Sequence, residues 1–290
     1  MSEAQTYTTK EQRITGAHGL KIFVRCWRPV TEPVGVVIIV PGFKAHGGYY
    51  QWAAQQLTAG GLAVYALDLS GRGWSEGERF YVEKIADWVS DVHSAVLFAK
   101  SREPGLPVFL LGHSAGGVVA CLYTLDHQSE LAGFICESFA FQVPGPELAL
   151  SVLKGLSHLA PHAPVFAIKN EYFSRDPAAV QTMDQDPLIA HEVQPSQTVA
   201  EMVRADERLK DVFPRITLPL LILHGTEDKV TKFSGSQLFY AQAGSSDKMI
   251  KLYHGHFHDL LNDIDRELVI EDIQGWISTH IAATSNLSHA

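Results

Sequence analysis

The chain has 290 residues, 46% apolar and 19% charged, enough to bury a large core as one domain or as one domain with an insertion. A formal charge of −9 lacks the basic footprint that nucleic acid requires, so no nucleic-acid partner is expected. The longest apolar run, residues 36–40, stops at Pro41-Gly42 and is too short to span a bilayer, and the polar start MSEAQTYTTKEQR has no apolar signal-peptide core. A soluble, cytoplasmic protein is the expectation.

In chain order, QRITGA, a turn at His18-Gly19 and the alternating LKIFVRCW predict a hairpin. Short apolar runs follow at 34–40, 62–69, 107–112, 131–138, 218–225 and 248–255, each bounded by Gly, Pro or Ser. Between them helical spacing covers residues 50–59, 85–100, 115–127, 233–243 and 266–280. Strands alternating with helices predict an α/β fold with a mostly parallel sheet, whose working residues gather at the carboxyl ends of the strands. The alternation breaks over 139–215, which has repeated prolines and short helix-like pieces but no clear strand. We expect a core of 1–138 and 216–290, with 139–215 inserted as a cap over the site. The first part of that insertion, ELALSVLKGLSHLAPHAPVFAI, is apolar and is read as walling a pocket. Peripheral contact with a lipid surface is the second reading, weakened because the basic polar face of an interfacial helix is missing. Three cysteines, Cys26, Cys121 and Cys136, are too few for a disulfide framework and read as buried thiols.

Gly112-His113-Ser114-Ala115-Gly116 matches G-x-S-x-G, with VFLL running into it as a strand and AGGVVACLYTL leaving as a helix. The motif requires that strand–turn–helix setting, because a strained turn lifts the serine hydroxyl above the sheet. Ser114 is therefore the candidate nucleophile. The expected order places an acid and then a histidine later in the chain. His224-Gly225-Thr226-Glu227-Asp228 follows the strand LPLLIL, making Asp228 the candidate acid and Glu227 its nearest rival. His254, His256 and His258 all follow the last predicted strand, and the residues alone leave all three eligible as base. Three imidazoles in an H-x-H-x-H run could also bind zinc, but the serine machinery already accounts for a histidine here, and no metal is expected. Backbone N–H groups of Ala115 and of Phe43, in the loop Pro41-Gly42-Phe43-Lys44-Ala45-His46, are the candidate oxyanion donors.

These segments resemble the monoacylglycerol lipase and lysophospholipase branch of the α/β-hydrolases, a group also filed with serine aminopeptidases. The resemblance runs from about Gly19 to Ser278 and is carried by DLSGRGWSEGERFYVEKIADWVSDV, GLPVFLLGHSAGG, FSRDPAAVQTMDQDPLI, LPLLILHGTEDKV and GHFHDLL. The family's H-G-x-x-D pattern falls on Asp228, and its G-x-x-H pattern, opened by Gly255, selects His258 as base. The resemblance implies ester hydrolysis through an acyl-enzyme with no cofactor, under a cap that covers an apolar acyl tunnel. The family's oxyanion loop commonly reads H-G-x-x-E-H. Here Pro41, Phe43 and Ala45 change its lining, so carboxylesterase action on shorter or bulkier esters is as compatible as monoacylglycerol hydrolysis. Acyl transfer, amide hydrolysis or a non-catalytic ligand-binding member of the fold are the alternatives.

Overall fold

Residue-by-residue alternation sets the two faces of the central sheet. In the computed structural model, which describes residues 6–142 and 154–287, the buried strand β3 (Gly35–Val40) turns Val36, Ile38 and Val40 to one face and Val37 and Ile39 to the other. Both faces are apolar because helices cover both, as a parallel sheet requires. Among the described residues the sheet has eight strands: β1 (Tyr7–Thr15), β2 (Lys21–Pro29), β3, β4 (Leu62–Leu67), β5 (Val108–His113), β6 (Gly133–Glu137), β9 (Leu220–Gly225) and β10 (Lys248–Tyr253). Their spatial order is β1-β2-β4-β3-β5-β6-β9-β10. The β1–β2 hairpin is antiparallel and β2 runs antiparallel to β4, while every pairing from β4 onward is parallel.

Helices Ile85–Arg102, Ala115–His127 and Phe233–Gln242 pack on the face of Ile38 and Leu110 through Trp88, Val118 and Phe239. Helices Gln51–Ala59 and Arg266–Leu287 close the other face through Leu57, Ile270 and Ile273. Each such side chain, fully buried, contributes roughly 1.5–3 kcal/mol. This is the α/β-hydrolase arrangement expected from the sequence.

The insertion differs in detail from its reading. It does contain strand, since β7 (Pro164–Phe166) pairs antiparallel with β8 (Gln194–Pro195). Runs of three and two residues carry no periodicity, so only tertiary pairing reveals them. Its longest described helix, Ser196–Val212, follows Pro195 and packs against helix Ala115–His127. The first seven residues of the apolar stretch read as a pocket wall, 147–153, lie outside the described residues.

Candidate active site

β5 ends at His113 and a helix begins at Ala115, leaving Ser114 alone in the turn with φ 56° and ψ −122°. A non-glycine residue there costs about 1–3 kcal/mol and must be held by its surroundings. The Ser114 N–H donates to the Glu137 carbonyl at 2.9 Å, and the Ser114 carbonyl accepts from Gly117 N–H at 2.9 Å. Flanking glycines allow the close approach: a Cβ on Gly116 would lie 2.1 Å from the Val40 carbonyl oxygen, and one on Gly112 would lie 2.8 Å from Ala120 Cβ.

His258 Nε2 lies 2.8 Å from Ser114 Oγ, and its Nδ1 lies 2.7 Å from Asp228 Oδ2. The structure thus brings the three predicted side chains together. The other two histidines of the run face elsewhere. His254 is exposed, and His256 is buried with its Nδ1 3.6 Å from Asp263. Glu227, the rival acid, is exposed. The His258 ring stands edge-to-face with Phe173 at 5.2 Å, and its backbone carbonyl accepts from Ser138 Oγ at 2.5 Å.

Asp228 is gripped by more donors than its sequence position suggests. Oδ1 accepts from the N–H groups of Val230 at 2.7 Å and Thr231 at 2.9 Å. Oδ2 accepts from Thr231 Oγ1 at 2.8 Å and lies 3.0 Å from His224 Nε2, besides its contact with His258. Burial alone would raise its pKa, but the histidines and their hydrogen bonds outweigh that and hold the carboxyl far below the ordinary range. His224 is lowered as well, but chiefly by burial, which favours neutral imidazole. A neutral ring that donates from Nε2 to Asp228 has Nδ1 free to accept from Ser236 Oγ, 2.7 Å away.

Sequence reasoning passed over His224, Thr231 and Ser236. His224 had a signal in the H-G-x-x-D motif itself, whereas Thr231 and Ser236 had none.

The loop after β3 runs beside the serine. A Cβ on Gly42 would lie 2.8 Å from Ser114 Cβ and 3.3 Å from its Oγ. Ala115 is the first residue of its helix, so its N–H has no intrahelical acceptor. Among the described residues the Phe43 N–H has no acceptor either. Free N–H groups on the residue after the serine and on the residue after Gly42 can hold a developing oxyanion, with the helix dipole adding to the field.

Behind the site lies a second polar group that the sequence did not foreshadow. Tyr50 Oη lies 2.7 Å from His113 Nδ1, and Glu137 and Asp259 are fully buried nearby. Glu137 Oε1 accepts from Leu261 N–H at 3.3 Å and Asp259 Oδ2 from Asn262 Nδ2 at 3.1 Å, and among the described residues neither carboxyl pairs with a lysine or an arginine. Burial raises both, Asp259 to about 6, and it pushes His113 down. Ligand-type atoms also converge at His93, His127 and Glu130, where the two imidazoles stack at 4.6 Å. Stacked rings run their in-plane lone pairs side by side, which does not suit a shared metal ion.

The family model described as serine aminopeptidase, S33, matches residues 31–265. The monoacylglycerol lipase of Mycolicibacterium smegmatis is 32% identical over 276 residues, covering 94% of this chain and 99% of the relative. Human monoglyceride lipase is 31% identical over 281 residues, covering 95% of this chain and 92% of the relative. The crystal structure of Paleococcus ferrophilus monoacylglycerol lipase superposes with a TM-score of 0.79 at 25% identity, covering 94% of this chain and 99% of that one. A soluble variant of monoglyceride lipase from Saccharomyces cerevisiae, in complex with a substrate analog, shares the fold at a TM-score of 0.84 and 20% identity, covering 96% of this chain and 97% of that one. With its strained serine at the strand–helix turn and a family match that spans most of its length, the chain belongs to the serine aminopeptidase S33 family of α/β-hydrolases.

Proposed function

We propose that the protein hydrolyses carboxylic esters through an acyl-enzyme on Ser114. The observation that carries this reading is the unbroken hydrogen-bonded line Ser114–His258–Asp228, with contacts of 2.8 and 2.7 Å. His258 Nε2 takes the hydroxyl proton as Ser114 Oγ attacks the ester carbonyl, and Asp228 stabilises the imidazolium and fixes its tautomer. The N–H groups of Phe43 and Ala115 hold the oxyanion; losing one such donor typically costs about 2.7–4 kcal/mol. His258 then protonates the departing alcohol. Water repeats the sequence on the acyl-enzyme and releases the acid. No step requires a metal or cofactor.

The relatives named as monoacylglycerol lipases support a glycerol ester of a fatty acid as substrate. The bulky Phe43 and the apolar Ala45 in the oxyanion loop support shorter or bulkier esters instead. We assign 139–215 as the cap over the site, and Phe173, standing against His258, supports that assignment. Among the described residues no helix is long and apolar enough to cross a membrane. The three free cysteines support a reducing, cytoplasmic setting.

The test is an ester panel spanning acyl lengths and including monoacylglycerols, run on wild type and Ser114→Ala. The variant is expected to lose at least about 10³-fold in kcat while retaining its fold. Undiminished activity in Ser114→Ala would refute the mechanism. Activity confined to short esters would remove monoacylglycerols and keep the esterase.

A further inference from the structure

The oxyanion loop contains a residue that its sequence should disfavour. Lys44, next to Phe43, adopts φ 57°, the left-handed region that glycine occupies freely and lysine does not. Something outside the loop must hold it there. The Lys44 N–H donates to Glu192 Oε1 at 2.9 Å, and the Lys44 ammonium reaches the Ile189 carbonyl at 3.4 Å. Two residues further on, His46 Nε2 lies 2.8 Å from Asp186 Oδ2. Residues 186–192 of the insertion are therefore laced onto the loop that carries the Phe43 donor.

Glu192 is 3% exposed and its Oε1 also accepts from Arg72 Nη1 at 2.6 Å and from Gln194 Nε2. Arg72, itself 2% exposed, donates through Nη2 to Gln194 Oε1 at 2.8 Å and lies over the Phe43 ring, 4.6 Å from its centroid. A simple latch between insertion and core would need only the Arg72–Glu192 ion pair. The additional bond to Lys44 N–H separates two successive donors. It turns the Lys44 N–H towards the insertion, whereas the preceding Phe43 N–H, which follows the glycine beside Ser114, has no acceptor among the described residues.

We infer that Glu192 is a positioning residue for the oxyanion hole, so that the hole is fully set only while the 186–194 segment is seated on the loop. The inference rests on the hydrolase reading above and extends it to the coupling between insertion and chemistry. Lifting the segment to admit an ester would release Lys44 from its strained conformation and let the Phe43 donor drift. Reseating it would restore the donor.

The test uses a short p-nitrophenyl ester, with active sites counted by a fluorophosphonate so that misfolded protein drops out of the rate. Glu192→Gln keeps an acceptor oxygen for Lys44 N–H and is expected to hold kcat within about threefold of wild type. The double variant Arg72→Met/Glu192→Met removes the buried charges together, so that neither is left buried alone, and leaves Lys44 N–H without its acceptor. It is expected to lose about tenfold or more in kcat with KM within about twofold, and to bind a boronic acid that mimics the tetrahedral intermediate correspondingly less tightly. In a Lys44→Gly background, where left-handed backbone is free of strain, the same double change should cost only about threefold. The inference falls if Glu192→Gln loses as much as the double variant, if the loss is confined to KM, or if Lys44→Gly leaves the loss undiminished. Wild type that reacts with the fluorophosphonate but hydrolyses no ester would refute the ester reading instead. The rate of phosphonylation, which also places negative charge in the hole, would then carry the comparison.

Discussion

Asp228 shows how a single carboxylate is made reliable. Five donors converge on its two oxygens, so its orientation and ionisation do not depend on His258 alone. Thr231 is the most informative of them. Its hydroxyl donates to Asp228 and lies 3.5 Å from His258 Nδ1 and 3.3 Å from His224 Nε2, a junction within the network. Thr231→Val keeps the shape and removes the hydroxyl. With four donors left, kcat/KM on a p-nitrophenyl ester should fall by roughly tenfold, near the worth of one hydrogen bond to a charged group. Steady-state kinetics on the purified variant would measure it, and an unchanged value would show that the remaining donors suffice. Sequence could nominate Asp228 because the motif lies at a strand end, but it could not choose among the histidines. Spacing of two puts His254, His256 and His258 on one face only if the strand continues. β10 ends at Tyr253, and Gly255 turns the chain at φ 79°, so the parity is broken and each imidazole takes a different direction. The family pattern selected the histidine that meets Ser114, and the spacing by itself could not.

At the scale of elements, the nucleophile turn works because the end of β3 and the helix Ala115–His127 approach without side chains between them. Gly116 is the contact: its hypothetical Cβ would overlap the carbonyl oxygens of Val40 at 2.1 Å and Pro41 at 2.4 Å, both backbone atoms that cannot swing aside. Gly116→Ala should push the helix off the end of β3, the strand that leads into the oxyanion loop. A destabilisation of about 1–3 kcal/mol is expected from the overlap, offset slightly by alanine's better helix propensity. A lower denaturation midpoint together with weakened ester turnover is the expected pair of readings. A normal midpoint would mean that the backbone yields without strain. These core elements were legible because buried strands read as short apolar runs and amphipathic helices keep their period. The insertion was less so. Its 17-residue helix Ser196–Val212 has a clear apolar face, yet repeated prolines around it suggested only short pieces. Its role in gripping Lys44 depends on residues nearly 150 positions apart in sequence, and no local pattern encodes such a contact.

At the scale of the whole molecule, stability reflects carboxyl groups pulled in opposite directions. Asp228 is held far below its ordinary pKa, so its contribution is present above the unfolded value and is lost as pH falls towards the folded one. Asp259 is the reverse case. Burial outweighs its hydrogen bonds and the attraction of His258 and raises it from 3.8 to about 6, so the native state binds its proton more tightly than the unfolded chain does. That contribution is complete below about 4 and disappears as pH rises through about 6, and Glu137, also raised by burial, acts in the same direction. Asp259→Asn replaces the carboxyl with a neutral group of the same shape that can still accept from Asn262. The variant should therefore match wild type near pH 4 and exceed it at pH 8 by on the order of 2–3 kcal/mol, where the wild-type carboxylate is charged in a buried setting. Urea denaturation at both pH values, read by fluorescence of the buried tryptophans Trp27, Trp88 and Trp276, distinguishes the outcomes. An advantage of equal size at both pH values would mean that side-chain packing, rather than the buried charge, sets the difference. An advantage confined to alkaline pH would identify Asp259 as a destabilising charge kept one residue from His258, at the place where the fold brings the ends of β5, β6 and β9 together.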